Sequence, residues 1–445
     1  MALRHTAHRG GARGPNPRPP GRRPSARPLT AIILALTLIA AACSGEAAPP
    51  TTVATTTTTT SPPATTTTTT QPPTTTSSTI PYHALDVTIS GDDEASAAVA
   101  ALYNWFGDRT AAEPEVPQGL LDHLATVHAD GSGAFSGELF FQEIEDMGMA
   151  GVVVVDDQDI MLLVDDGDGW RVVGAWFAQY DIDPWFGNPI RYVFVIGTDA
   201  RPGEDQQHFR ADSLHILTSN ITERSGGVLG FPRDTYVEAS YGGDKFTNVN
   251  ALVWTLSENT IPGQDEMIDL ASDLSGLPLE GYLITGFLNF QRLVDAFGGV
   301  GVNVPFGMAE PKSQAYLSAG LQTLFGGDAL AFSRNRTIPG GDFTRQLHGG
   351  LVILGALQGV RERDITMLPA LLSILMDFTW TDLSLEDLLT VAAGGFLLDP
   401  DKVGNDVLPG VVVIRNGASM VNLSPEAEDM FRDMDDGALT QRQGE

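Results

Sequence analysis

The sequence predicts a layered α/β domain preceded by a small α+β unit. Three observations lead there. From about residue 188 strand-like runs alternate with helix-like runs; from Tyr82 to Trp185 one helix-like segment is followed by β-rich runs; and the first eighty residues have a composition that builds no core. With 445 residues, 42% hydrophobic and 18% charged, the chain is long enough for two folded domains plus tails.

Residues 1–42 read as an export signal. Arg4, Arg9, Arg13, Arg18, Arg22, Arg23 and Arg27 precede the apolar run 29-LTAIILALTLIAAAC-43, with no acidic residue among them. The run is shorter than the ~20 residues of a membrane-spanning helix and ends in small residues before Cys43, the one cysteine of the chain. Ala40-Ala41-Ala42-Cys43 resembles a bacterial lipobox, with Ala40 where leucine is more usual. The expectation is cleavage before Cys43, a lipid on its thiol, and anchoring to the outer face of the cell membrane. One cysteine allows no internal disulfide. Residues 43–80 are expected to be an extended Thr/Pro-rich stalk. The net charge of −30, more negative still without the signal arginines, argues against a nucleic-acid partner.

The small α+β unit is expected at 82–186, with a helix near 94–106 and strands at 151–157 and 160–180. Asp165, Asp166 and Asp168 fall in a hairpin, where turn chemistry accounts for them. In the larger domain, 188–432, strands are expected at 192–197, 213–221, 226–231, 281–287 and 300–306. Helices are expected near 248–258, 264–275, 288–297, 342–362, 366–377 and 384–393, with a flexible tail at 433–445.

Ligands of such sheets bind beyond the carboxyl ends of strands. The first strand of the larger domain ends in 197-GTDARPGE-204 and the third in 231-FPRDTY-236, which puts Asp199, Arg201, Arg233 and Asp234 at that edge. Arg210 and Asp212 lead into the second strand, and Lys245, Arg334, Arg336, Asp342 and Arg345 lie in other short motifs. Arginine forks match phosphate oxygens and aspartate oxygens suit magnesium, so the set suits a magnesium-bound pyrophosphate. Surface salt bridging is the plainer alternative. No phosphate-loop, nucleophile-elbow or zinc-helix motif occurs, and the eight histidines lack metal spacing.

Five ordered segments resemble the LytR-CpsA-Psr family of bacterial cell-wall proteins: 192-YVFVIGTDARPGE-204, 210-RADS-213, 230-GFPRDTYV-237, 289-NFQRLVDAFGGVGVNVP-305 and 329-ALAFSRNRTIPGGDFTRQ-346. The resemblance implies a central mixed sheet flanked by helices, with an apolar lipid tunnel. It also implies an extracytoplasmic, magnesium-dependent phosphotransferase that moves a glycopolymer from a polyprenyl-pyrophosphate donor onto a peptidoglycan hydroxyl. On it, Asp199 and Asp212 hold Mg2+, and Arg233, Arg334, Arg336 and Arg345 bind pyrophosphate, with Arg201, Arg210 and Lys245 as further contacts. Arg233, Asp234, Arg334 and Arg336 are the catalytic set, Asp234 orienting an arginine or acting as base, and Asp342 braces the arginine loop. Two departures stand out: His348 and Gly349 occupy places where the family often has arginine and glutamine, and 244-DKFTNVNA-251 has extra residues beside the usual Lys-x-Asn pattern. A phosphate-ester hydrolase or a non-catalytic module for lipid-linked glycan would use the same residues.

Overall fold

The structure, a computed structural model, describes residues 85–127, 133–335 and 338–440. The expected signal, Cys43, the stalk and Arg336 lie outside the described residues.

The smaller region comprises β1 (Leu85–Ser90), α1 (Asp93–Gly107), α2 (Gln118–Leu124), β2 (Gly133–Ile144), β3 (Gly148–Val155), β4 (Asp159–Asp165) and β5 (Arg171–Trp176). Asp92 caps α1 by accepting from the backbone N–H groups of Glu94 and Ala95. The five strands lie in sequence order; β1 pairs parallel to β2 and the other pairs are antiparallel. Between β4 and β5, Asp165 accepts from the N–H groups of Gly167 and Gly169 at 2.9 and 3.1 Å, the turn chemistry its sequence suggests.

The larger region begins with β6 (Ile190–Thr198), β7 (Ala211–Asn220), β8 (Ser225–Gly230), β9 (Tyr236–Ala239) and β10 (Gly242–Lys245). Then come α3 (Phe246–Leu256), α4 (Gly263–Ser275), β11 (Gly281–Gly286), α5 (Phe287–Ala296), β12 (Val300–Val304), β13 (Met308–Glu310), β14 (Ala315–Leu317) and β15 (Gly320–Leu324). The chain continues through α6 (Gly326–Ser333), α7 (Asp342–Arg361), α8 (Leu368–Met376), β16 (Trp380–Thr381), α9 (Leu385–Leu397) and β17 (Val403–Val407). It ends with β18 (Gly410–Arg415), β19 (Ala418–Leu423) and α10 (Glu426–Asp433). The central sheet has six strands in the order β16-β11-β6-β7-β8-β17 and is mixed: β6 runs parallel to β11 and β8 to β17, while β6–β7 and β7–β8 are antiparallel. One face packs Phe194, Ile196 and Leu229 against Phe246 of α3, Met267 of α4 and Phe431 of α10. The opposite face looks toward α7, α8 and α9.

Three expectations change. The strand expected at 300–306 is β12, which pairs antiparallel with β15, the returning strand that follows β13 and β14, and so lies outside the central sheet. The tail expected from 433 onward is packed through residue 440: Met434 and Leu439 are buried, and Leu439 N–H donates to Gly226 O at 3.2 Å. Lastly, the two regions share a core within one compact unit, Ser77–Glu445.

That shared core follows from strand periodicity. Side chains alternate across a sheet, so Val153, Leu163 and Val172 face α1, whereas their neighbours Val152, Leu162 and Val173 face Leu368 and Leu372 of α8 and Leu385, Leu389 and Ala393 of α9. This explains the unbroken apolar runs of β3 and β4, which are buried on both faces. Arg171 adds an ion pair to Glu386 of α9 at 2.5 Å. Each buried leucine is worth about 1.5–3 kcal/mol, so a chain beginning at residue 188 is expected to melt roughly 10–20 °C lower or to aggregate. A thermal melt of that chain beside 77–445 checks this, and equal midpoints would show that the contact carries no stability.

Candidate active site

Strand direction explains why distant motifs meet. Because β6–β7–β8 form an antiparallel ladder, the ends of β6 and β8 and the start of β7 share one edge of the sheet. The β6–β7 register slips there: Gly197 faces Ser213 and Thr198 faces Ala211, leaving Asp212 as the extra, bulged residue. Such a bulge re-aims a side chain out of the ladder. Asp212 accepts from Arg233 Nη1 at 2.5 Å.

Arg233 is the centre of the cluster. Its backbone N–H donates to Asp342 Oδ2 at 2.7 Å, and its Nε lies 3.5 Å from Asp342 Oδ1 and 3.8 Å from Asp234 Oδ1. Asp342 opens α7 just after Gly340 and Gly341, both at positive φ, and also pairs with Arg345 one turn on. At Gly340 a Cβ would lie 2.3 Å from Thr344 Oγ1, so glycine is required by space as well as by backbone conformation. Asp234 accepts from Lys245 Nζ at 2.9 Å. Asp199 pairs with Arg210, and the Arg334 guanidinium lies over the Phe287 ring at 4.1 Å.

Most of the expected residues therefore converge. Two stand further out: Arg201 is exposed in the loop after β6, its backbone N–H held by Glu204 at 2.7 Å, and Arg210 is 59% exposed although tied to Asp199. Arg336 is outside the described residues.

Asp199 Oδ1 is buried and has no hydrogen-bond partner among the described residues. Burial pushes its carboxyl up, Arg210 pulls against that, and the charge of Asp212 adds to the rise. A desolvated carboxylate with one buried oxygen unpartnered among the described residues and a second carboxylate beside it suits a divalent cation. Among the described residues no group of three or more His, Cys, Asp or Glu side chains could hold one ion. Two carboxylates that leave the remaining positions to water and phosphate oxygens are the arrangement magnesium favours.

An apolar cavity opens beside these charges. A space of about 100 Å³ is lined by Asp212, Arg334 and Arg345 on one side and by Phe290, Val352 and Ile353 on the other. Ile353 also lines a second space of about 280 Å³, walled by Val193 and Leu283 of the sheet, Leu357 of α7 and Leu375 of α8. The apolar runs 351–360 and 367–378 thus serve partly as core and partly as cavity wall. A strong anion site continuous with an apolar hollow suits a ligand with a charged head and a hydrocarbon tail.

The LytR_cpsA_psr family model matches residues 188–435, more than half of the chain. The chain belongs to the LytR-CpsA-Psr family. Among similar proteins, the cell wall biosynthesis protein LcpA of Corynebacterium glutamicum is 30% identical over 195 residues, 39% of this chain and 37% of that one. TagU of Bacillus licheniformis, named a polyisoprenyl-teichoic acid–peptidoglycan teichoic acid transferase, is 28% identical over 45% of this chain and 63% of its own. The chain thus spans less than two thirds of either relative. The crystal structure of B. subtilis TagV is 19% identical, with a TM-score of 0.47, and the match covers 56% of this chain and 96% of that one.

Within this LytR-CpsA-Psr domain the departures at His348 and Gly349 have structural meanings. His348 is buried, stacks on Phe332 at 4.2 Å, and is pushed toward the neutral form by burial, so it supplies no cation to the cluster. Gly349 makes room for His215: a Cβ there would stand 2.9 Å from His215 Cε1 and 3.2 Å from Nε2. Gly349→Gln is therefore expected to destabilise by about 2 kcal/mol, with a coupling of about 1 kcal/mol or more to His215→Ser in a double-mutant cycle read by urea melts. Additive losses would show that the two residues do not compete for space.

Sequence reading missed the residues beneath the cluster. Gln346 is buried, its Nε2 donates to Asp212 O at 3.0 Å and its Oε1 accepts from Leu214 N–H at 3.3 Å, which fixes the bulge. His215 Nε2 lies 2.8 Å from Gln346 O and its Nδ1 3.2 Å from Ser213 Oγ, an arrangement that a neutral Nε2–H tautomer satisfies at both nitrogens. The pair Arg345-Gln346 at the end of the fifth motif was the available signal for Gln346; His215, close after Asp212 in the sequence, reads there as packing or solvent-exposed in preference to a ligand, and nothing in the sequence marked Phe287.

Burial lowers the His215 pKa from 6.5 to about 4. The unfolded chain then binds this proton at a higher pH than the folded one, so stability falls as pH drops from 6.5 toward 4. By pH 5 the loss from this group is about 2 kcal/mol. His215→Gln is expected to flatten that slope in urea melts from pH 7.5 to 5; an unchanged slope would assign it elsewhere.

Proposed function

We propose that the chain is a magnesium-dependent phosphotransferase that moves a glycopolymer from a polyprenyl-pyrophosphate carrier onto a hydroxyl of peptidoglycan. The observation that carries the reading is the continuity of the Arg233–Asp212–Asp342 cluster with the cavity around Ile353. The family and the names of the relatives support it.

In this reading Arg233, Arg334, Arg336 and Arg345 bind the pyrophosphate, Arg210 and Lys245 add charge at its edge, and Arg201 meets the outer end of the donor. Asp199 and Asp212 would hold magnesium, which when bound neutralises charge on the pyrophosphate oxygens. The acceptor hydroxyl oxygen bonds to the phosphorus that bears the glycan, and the bridge from that phosphorus to the lipid phosphate breaks, leaving polyprenyl phosphate. We assign the hydroxyl proton to Asp234, whose carboxylate is held between Lys245 and Arg233. Asp342 keeps Arg233 and Arg345 oriented. The apolar walls exclude water, which favours a glycan hydroxyl over hydrolysis. A lipid on Cys43 and the stalk at 43–80 would hold the enzyme outside the cell, within reach of a membrane-borne donor.

Incubation of 77–445 with a polyprenyl-pyrophosphate oligosaccharide, magnesium and uncrosslinked peptidoglycan strands is expected to give a phosphodiester-linked product by mass spectrometry. Phosphate released with no acceptor linkage would replace the proposal with a hydrolase, and tight binding without either product would replace it with a binding module.

A further inference from the structure

One charged side chain lines the second cavity, on the strand that leads away from the cluster. β6 runs from the cluster at Thr198 back toward Arg191, the one charged side chain on the wall of the larger space. Arg191 is only 5% exposed and each guanidinium nitrogen is engaged: Nε with Glu280 at 2.5 Å, Nη2 with Asp387 at 3.0 Å and Nη1 with Thr390 Oγ1 at 3.2 Å. Those partners come from the turn before β11 and from α9, so the ion pairs tie the sheet to the helix that forms the cavity's outer wall. Gly187, at φ +81°, leaves the space they need, since a Cβ there would lie 2.9 Å from Arg191 Nη1. Leu388 and Val391, flanking Asp387 and Thr390 on α9, line the cavity, while Leu389 and Ala393 on the other side of the helix pack into the core shared with the smaller region.

We propose that this Arg191–Glu280–Asp387 cluster is the floor of the lipid-binding cavity and fixes how much of an isoprenoid tail the protein encloses. The inference rests on the lipid reading given above. Hydrocarbon advancing past Arg191 would separate a buried guanidinium from its carboxylates and offer nothing in return, so the tail stops there. The seven-residue step from Arg191 to Thr198 spans about 23 Å at the rise of a strand. At roughly 1.2 Å per bond of an extended chain, that length holds about five isoprene units. A longer polyprenyl tail gains no further contact from the cavity.

The test measures binding of the full chain to isoprenoid pyrophosphates of two to eleven units, with inorganic pyrophosphate as the headgroup alone. Affinity is expected to rise several-fold with each added unit up to about five and then stay flat. Leu388→Phe, which fills space beside the floor without touching the ion pairs, is expected to bring the break one or two units earlier, so that the ratio of five-unit to two-unit affinity falls about tenfold. The neutral variant R191M/E280Q/D387N is expected to move the break to longer tails. Affinity that climbs through all eleven units in the parent chain, or an unchanged ratio in a Leu388→Phe protein that melts as the parent does, would overturn the floor. Binding with no dependence on tail length would overturn the lipid reading itself, a separate result.

Discussion

Arg233→Ala is expected to lower the rate of glycopolymer transfer by about a thousandfold and to lower stability by roughly 3 kcal/mol. Both effects have one origin. The guanidinium bonds Asp212 at 2.5 Å and lies within 4 Å of Asp342 and Asp234, so it is the positive centre of three carboxylates. Removal leaves those carboxylates facing one another in a half-buried site without the guanidinium between them, and loosens the start of α7. It also deletes the fork nearest the bulge at Asp212, where the pyrophosphate is proposed to sit. Arg233→Lys separates the two consequences: it keeps the charge and recovers most of the stability, but a point charge cannot span two oxygens, so transfer stays at least about tenfold down. Steady-state transfer kinetics beside thermal melts decide the matter. A lysine variant with parental turnover would reduce Arg233 to a structural cation.

Asp199→Asn carries the opposite signature. Transfer is expected to fall about a hundredfold and the magnesium needed for half-maximal rate to rise at least about tenfold, while stability without metal stays level or increases. Burial already holds the Asp199 carboxyl above its ordinary pKa, and one of its oxygens is buried without a partner among the described residues. A carboxyl raised in this way favours the folded state below its unfolded pKa of 3.8 and disfavours it as pH rises through the folded value, so a neutral isostere removes a penalty at pH 7. The lost pairing with Arg210 subtracts little, because Arg210 is 59% exposed. Calorimetric magnesium titrations of the parent, Asp199→Asn and Asp212→Asn check this. Equal metal affinity in all three would remove both residues from the metal site.

Much of the architecture was legible because it is carried by local periodicity. The strands β6, β7, β8 and β11 and the helices α3, α4, α5 and α7 fall close to where alternation and helical spacing put them. What periodicity left open was the partner of each face. The runs at 151–157 and 160–180 read simply as strands; that the second faces of β3 and β4 bury α8 and α9, so that the smaller region braces a wall of the cavity, depends on residues about 200 positions away. Met434 and Leu439 were assigned to a tail because a short apolar pair among acidic residues has no period to reveal it, yet the sheet supplies them a core.

The sequence by itself determined the make-up of the cluster: which arginines and aspartates fall near it among the described residues, and that short motifs before and after strands carry them. Its own order of residues also set the strands and helices, since a side chain's face follows from spacing along the chain. Only the tertiary structure decided that a slipped register turns Asp212 toward Arg233, that His348 is a buried aromatic partner with no anion to bind, and that Gly349 exists to admit His215. It alone also revealed Arg191 at the far end of β6 from the site. The physical reason is that packing and paired charge act through space between segments far apart in the chain, where local spacing holds no information.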